Sequence, residues 1–243
     1  MSELRILPAG DLSLVVEFGN EISTACNDKV RMLNQNLKKS DIRGIVETVP
    51  TFRSLLVYYD PLMISYEKLC NCIHTASSTE GDIKSDSQRI VEIPVCYGEQ
   101  YGEDLADVAE HVGMSKEEVI KLHSGTDYLI YMLGFLPGFP YLGGMDKRLE
   151  TPRLPNPRTS IPAGSVGIGG EQTGVYPIAS PGGWRLIGRT PLKLYDSERE
   201  NPTLYQAGDY IHFQPIDEEE YKRIEEQVLS GSYQCKITTR NKV

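Results

Sequence analysis

Cysteine is scarce: five in 243 residues (Cys26, Cys70, Cys72, Cys96 and Cys235), with no CxxC pair among them. An odd count without metal-ligand spacing argues against a disulfide framework or a zinc finger. HxH, HExxH and paired-carboxylate motifs are also lacking, so no metal site is expected. No stretch approaches the ~20 consecutive apolar residues that span a bilayer. The opening MSELRILPAGDLSLVVEFG brings acids in early and has no long apolar core. Neither a membrane anchor nor a secretory signal is therefore expected, and a cytoplasmic location is. Basic charge is short as well, 25 Lys and Arg against 34 Asp and Glu, for a net charge of −9. Such a balance disfavours nucleic-acid binding, which gains its affinity from positive charge facing phosphates. Ala109, Gly113 and Val119 do match the spacing of a helix-turn-helix. Its outward residues would be Lys116, Glu117, Glu118 and Lys121, without the basic excess that DNA requires.

The residues that are present divide the chain in two. Leu12–Phe18, Ile45–Val49 and Ser54–Tyr59 read as strands. Glu21–Lys39 and Ser65–Ala76 read as amphipathic helices, the first through Ile22, Cys26, Val30, Leu33 and Leu37. The order β-α-β-β-α is most of a ferredoxin-like unit. Residues 77–88, rich in Ser, Asp and Gly, have the composition of a linker, which sets the domains at 1–88 and 89–243. Arg89–Tyr97 alternates like a strand and belongs to either side. Beyond it, Asp104–Val112 and Ser115–His123 read as short helices, the second opened by a Ser115/Glu118 capping box. Tyr128–Phe135 reads as a strand. Short apolar runs then alternate with Gly/Pro turns at 165–168, 173–177, 184–187, 192–195 and 210–213, the pattern of a small β-barrel or sandwich. A helix is expected from about Glu218 to Leu229, capped by Asp217, with a loosely held tail after it.

One stretch is unusual. Residues 134–189 hold twelve of the 22 glycines and eight of the 15 prolines, interleaved with Phe135, Phe139, Tyr141, Ile161, Val166, Tyr176 and the single tryptophan, Trp184. That apolar content can bury a core, so the stretch reads as a rigid fold dense in turns and not as a linker. It is also basic. Lys147, Arg148, Arg153, Arg158, Arg185 and Arg189 face only Asp146, Glu150 and Glu171, a local charge of +3 that leaves −12 for the rest. A basic island in an acidic chain suggests a site for a small carboxylate or phosphate, with Arg153, Arg158, Arg185 and Arg189 as candidate ligands. Gly164-Ser-Val-Gly-Ile-Gly-Gly170 precedes strand-like sequence and lacks Gly-Lys-Ser/Thr, so it reads as a glycine-rich turn before it reads as a phosphate loop. His123 is the foremost histidine for acid/base work, and Cys96 a weak candidate nucleophile.

The segments GFLPGFPYLGG, PAGSVGIGG-QTGVYP and SPGGW-IGRTP stand in that order, and PAGDLSLVVEFG and RIVEIPVCYG precede them. With these the chain resembles the allophanate hydrolase subunit 1 family, whose stand-alone members are the B components of 5-oxoprolinase and which includes the kinase inhibitor KipI. The resemblance implies a small α+β domain followed by a cyclophilin-like β-barrel. It implies an ATP-dependent complex with subunits A and C that hydrolyses 5-oxo-L-proline to L-glutamate. A sensor histidine kinase as partner, or allophanate as substrate, are the alternatives it carries. On this reading Arg153, Arg158, Arg185 and Arg189 bind anions, Gln172 and Thr173 of the QTG match orient a carbonyl or phosphate, and His123 is the general acid/base.

Overall fold

The structure is a computed structural model that describes residues 4–79 and 87–241. Chain contacts divide it into two units, 1–86 and 87–243. The central part of the expected linker, residues 80–86, lies outside the described residues. Its ends are not linker: residues 77 and 78 finish a helix, and 87 and 88 begin a strand.

The smaller unit runs β1 (Arg5–Pro8), β2 (Ser13–Glu17), α1 (Thr24–Lys39), β3 (Ile45–Pro50), β4 (Ser54–Tyr59) and α2 (Tyr66–Ser78). Its strands form one antiparallel sheet in the order β1-β2-β4-β3. Because β2 and β3 both run against β4, they are parallel to each other with β4 between them, and α1 joins them as a split βαβ crossover. The remaining edge is filled by β1, a strand that the sequence pattern does not announce. α1 starts later than its apolar spacing suggests. The Ser23 hydroxyl accepts the Cys26 N–H and caps the helix, so Ile22 stays outside it, 59% exposed. Leu14, Val16, Leu55 and Val57 pack against Val30, Leu33, Leu37, Leu69 and Ile73 as the core of this unit.

The larger unit opens with β5 (Ser87–Tyr97), α3 (Leu105–Val112), α4 (Lys116–Ser124), β6 (Asp127–Leu133) and β7 (Pro140–Gly143). A 3-10 turn at Lys147–Leu149 leads to β8 (Arg158–Ile161), β9 (Ser165–Gly169), β10 (Gln172–Val175), β11 (Ser180–Gly182) and β12 (Arg185–Arg189). β13 (Tyr210–Ile216), α5 (Glu218–Leu229) and β14 (Ile237–Asn241) complete it. The main sheet has the order β10-β9-β12-β5-β13-β6-β7, and its end strands β10 and β7 lie alongside each other, so it curls into a nearly closed barrel. β8 and β11 pair separately. Val91, Ile93, Val95, Tyr128, Ile130, Val166, Ile168, Val175, Ile211 and Phe213 fill the interior, and α3 and α4 add Leu105, Val108 and Val119.

Two expectations change here. The tail is not loose: β14 pairs antiparallel with the first half of β5, Ile237 opposite Val91. Residues 192–195 are not a strand. Leu192 and Leu194 are buried, but the only pairing there among the described residues is a single bridge, Tyr195 to Thr203. Alternating burial produces the strand-like pattern without a ladder. Among the described residues no helix is long and apolar enough to cross a membrane, and no group of three His, Cys, Asp or Glu side chains is placed to hold a metal ion.

Candidate functional site

The glycine-rich stretch builds a cleft on the barrel wall. The β9–β10 hairpin carries glycines where the Trp184 indole lies flat against the backbone. A Cβ at Gly169 would overlap the indole, and one at Gly174 would come within 3.1 Å of Trp184 Cζ3 and 3.2 Å of Phe139 Cζ. Around the indole, Phe139 meets Tyr141, Tyr176 and Trp184 edge-on, at centroid distances of 5.4, 5.4 and 5.7 Å. Phe135 adds a further edge-on contact to Phe139 at 5.6 Å. Such contacts interlock the rings into a rigid wall. Phe135 takes φ +65°, a left-handed backbone that costs a bulky side chain energy, and the ring stands 66% exposed on the lip.

Arg153 supplies the charge. The Leu154 N–H donates to the Gly183 carbonyl at 2.7 Å, tying its loop to the start of β12. The guanidinium then sits 5.9 Å over the Trp184 ring, a cation–π arrangement. The cleft so formed encloses about 140 Å³, walled by Phe135, Phe139, Tyr141, Arg153, Tyr176, Gly182, Gly183 and Trp184. It suits one small, flat ring with a carboxylate: ring carbons against aromatic faces, oxygens against the guanidinium. Its lining contains no activated nucleophile; burial raises the Tyr176 phenol above its ordinary value, so that hydroxyl keeps its proton. A larger hollow of about 480 Å³ lies between α1 and α2. The Asn36 carboxamide there already donates to the Ala76 and Thr79 carbonyls, and Lys39 and Lys68 are exposed, which is weaker chemistry.

The other arginines of the basic island are elsewhere engaged. Arg158 reaches Glu103 Oε1 through Nε at 3.0 Å and Asp104 Oδ1 through Nη2 at 2.9 Å. Arg185 pairs with Asp107 Oδ2 at 2.8 Å. Both therefore serve the start of α3: Arg158 is held by two carboxylates of this chain, and Arg185 by one through Nη1, with its Nε buried and unpaired. Arg189 lies at the far end of β12, its Cα opposite Ser165 and Cys96. It faces Tyr221, where its charge opposes the burial that pushes that phenol up to about 12.

His123 and Thr173 are inside the barrel, 0% and 1% exposed. The Thr173 hydroxyl donates to the Gly167 carbonyl at 3.0 Å, so His123 Nε2 must be the donor in its 2.8 Å contact with Thr173 Oγ1. Nδ1 is then left to accept from the Tyr97 hydroxyl, also at 2.8 Å. Burial pushes the His123 pKa down to about 3 and the Tyr97 pKa well above its ordinary value, so both stay neutral. As placed, this histidine has no nitrogen facing solvent. Gln172 begins β10 half-buried, outside the aromatic cleft. Cys96 is packed among Tyr101, Tyr221 and Ile216. Its thiol is pushed up by burial and by Glu218 and Asp217, so it is no nucleophile at neutral pH.

Sequence reasoning assigns Phe135, Phe139, Tyr141, Tyr176 and Trp184 to a core, and they also wall the cleft. It misses Glu103, Asp104 and Asp107 because they precede the window in which charge is counted.

Comparison with known proteins adds to this geometry. The family described as "Carboxyltransferase domain, subdomain C and D" matches residues 4–205. The chain is 44% identical to the B component of 5-oxoprolinase from Bacillus subtilis (strain 168), over 92% of this chain and 97% of that one. It is 41% identical to the same component from Escherichia coli O157:H7, over 90% and 99%. The crystal structure of TTHA0988 superposes with a TM-score of 0.75 at 36% identity, covering 85% of this chain. There the chain spans only 40% of the length of its counterpart.

Proposed function

As the chain belongs to the carboxyltransferase subdomain C and D family, we propose that it is the B component of an ATP-dependent 5-oxoprolinase, the chain that grips the substrate. The observation that carries this reading is Arg153 over Trp184 in a cleft of about 140 Å³. 5-Oxo-L-proline is a five-membered lactam with one carboxylate, the shape and charge that such a cleft accepts. Hydrolysis adds water across the ring C–N bond, releasing the nitrogen as an amine and the carbonyl carbon as the new carboxylate of L-glutamate. A lactam is an unreactive amide, so coupling to ATP supplies the driving force. In this reading subunits A and C bind ATP and activate water, and the cleft of this chain holds the lactam.

In the same reading Gln172 orients a carbonyl or phosphate that a partner chain brings to the outer end of β10, and Arg189 remains an anion-binding candidate. His123, Thr173, Arg158 and Arg185 act as supports. The first domain, which ends before β5, is ferredoxin-like with β1 as its edge strand, the second is a cyclophilin-like barrel, and the complex works in the cytoplasm.

The test is glutamate release from 5-oxoproline and ATP, by this chain alone and with subunits A and C. Activity of the mixture and none of the single chain is expected. An inactive mixture together with inhibition of sensor-kinase autophosphorylation would replace this reading with that of a kinase inhibitor. Turnover of allophanate instead of oxoproline would change the substrate.

A further inference from the structure

Asp104 occupies the N-cap position of α3, yet its carboxylate does not cap that helix. Oδ2 accepts the Leu186 N–H at 2.7 Å, and the backbone N–H of Asp104 donates to the Leu186 carbonyl at 2.9 Å. Oδ1 accepts from Arg158 Nη2 at 2.9 Å. Arg158 in turn donates through Nη1 to the Trp184 carbonyl at 3.5 Å. One ion pair thus grips the backbone on both sides of Arg185, at Trp184 and at Leu186, where β12 begins. Asp104 is 5% exposed, which strengthens the pair relative to one in water. The indole that this backbone carries is the wall of the cleft against which Arg153 lies.

We infer that Asp104 and Arg158 are positioning residues: their pairing fixes the start of β12 and so holds Trp184 in the geometry that binds the ligand. The ligand part rests on the proposed oxoprolinase function; the hold on Trp184 does not. The Asp104 carboxylate is thereby committed to the start of β12 instead of to the α3 N–H groups, the usual partners of an N-cap side chain.

The chain has one tryptophan, so its emission reports on this wall alone. Asp104→Asn keeps an acceptor for the Leu186 N–H but removes the charge, and Arg158→Gln removes the fork. In the full-length chain, acrylamide quenching of Trp184 is expected to rise in each variant and no further in the double variant, because the two residues act as one unit. In the reconstituted complex the KM for 5-oxoproline is expected to rise at least about tenfold, with kcat much less affected. Glu103→Gln, on an exposed partner of Arg158, is the control and should leave both readouts near their starting values. Unchanged quenching in folded Asp104→Asn overturns the inference, as do additive effects in the double variant. Raised quenching with an unchanged KM supports the hold on Trp184 and removes this cleft from the substrate site.

Discussion

His123 and Thr173 are fifty positions apart in sequence and joined by a 2.8 Å hydrogen bond, Nε2 to Oγ1, in the middle of the barrel. The contact links the end of α4 to the β9–β10 hairpin, and through Tyr97 it continues to β5. It is a chain of neutral groups whose proton directions are all determined by the final donation from Thr173 to Gly167.

From this follows a pH dependence of stability. The His123 pKa is about 3 when folded and about 6.5 when unfolded, so between these values the unfolded chain binds the extra proton. The stabilisation is complete above about pH 6.5 and is lost as pH falls toward 3. From pH 7 to 5 this one group should remove about 2 kcal/mol. Denaturant unfolding of the native chain and of His123→Gln at both values measures it. Equal losses in the two proteins would mean that the histidine is not buried neutral.

Arg153→Ala tests the charge in the cleft. A hydrogen bond to a charged partner contributes about 1.5–3 kcal/mol, which corresponds to about ten- to a hundredfold in the KM for 5-oxoproline. Arg153 is exposed, so unfolding free energy should move by less than about 0.5 kcal/mol. An unaltered KM in the reconstituted complex would deny it a role in binding.

Gly169→Ala forces a methyl group into the Trp184 indole. The cost expected of such overpacking is about 1–3 kcal/mol, with a red shift of tryptophan emission as the ring is displaced. Gly174→Ala, whose new carbon meets its neighbours at 3.1 Å and beyond, should cost less. The reverse order would mean that the indole lies elsewhere.

Deleting residues 237–243 removes the strand paired with the first half of β5. A loss of about 1 kcal/mol or more is expected, seen as a fall in Tm of about 2–4 °C or greater for a chain of this size. An unchanged Tm would restore the picture of a loose tail.

How much of this is legible in the sequence depends on range. Ser115 with Glu118, and Asp217 with the Glu220 N–H, declare helix starts within three residues, and both caps are present as read. The strands β7, β8 and β11 have three or four residues each and are interrupted or flanked by Pro or Gly, so no alternation marks them. Their partners alone make them strands. β1 escapes for the same reason: four residues ending in Pro8 become a strand only beside β2.

The sequence by itself determined where α4 and α5 start, which residues are apolar enough to bury, and that residues 134–189 are dense in turns, because capping, periodicity and the φ limits of Gly and Pro are local properties. Only the tertiary structure decided how the arginines of that stretch are partnered. Charges pair through space: Asp104 and Asp107 come from α3 and its cap to engage Arg158 and Arg185, across 54 and 78 positions of sequence, while Arg153 is held over Trp184.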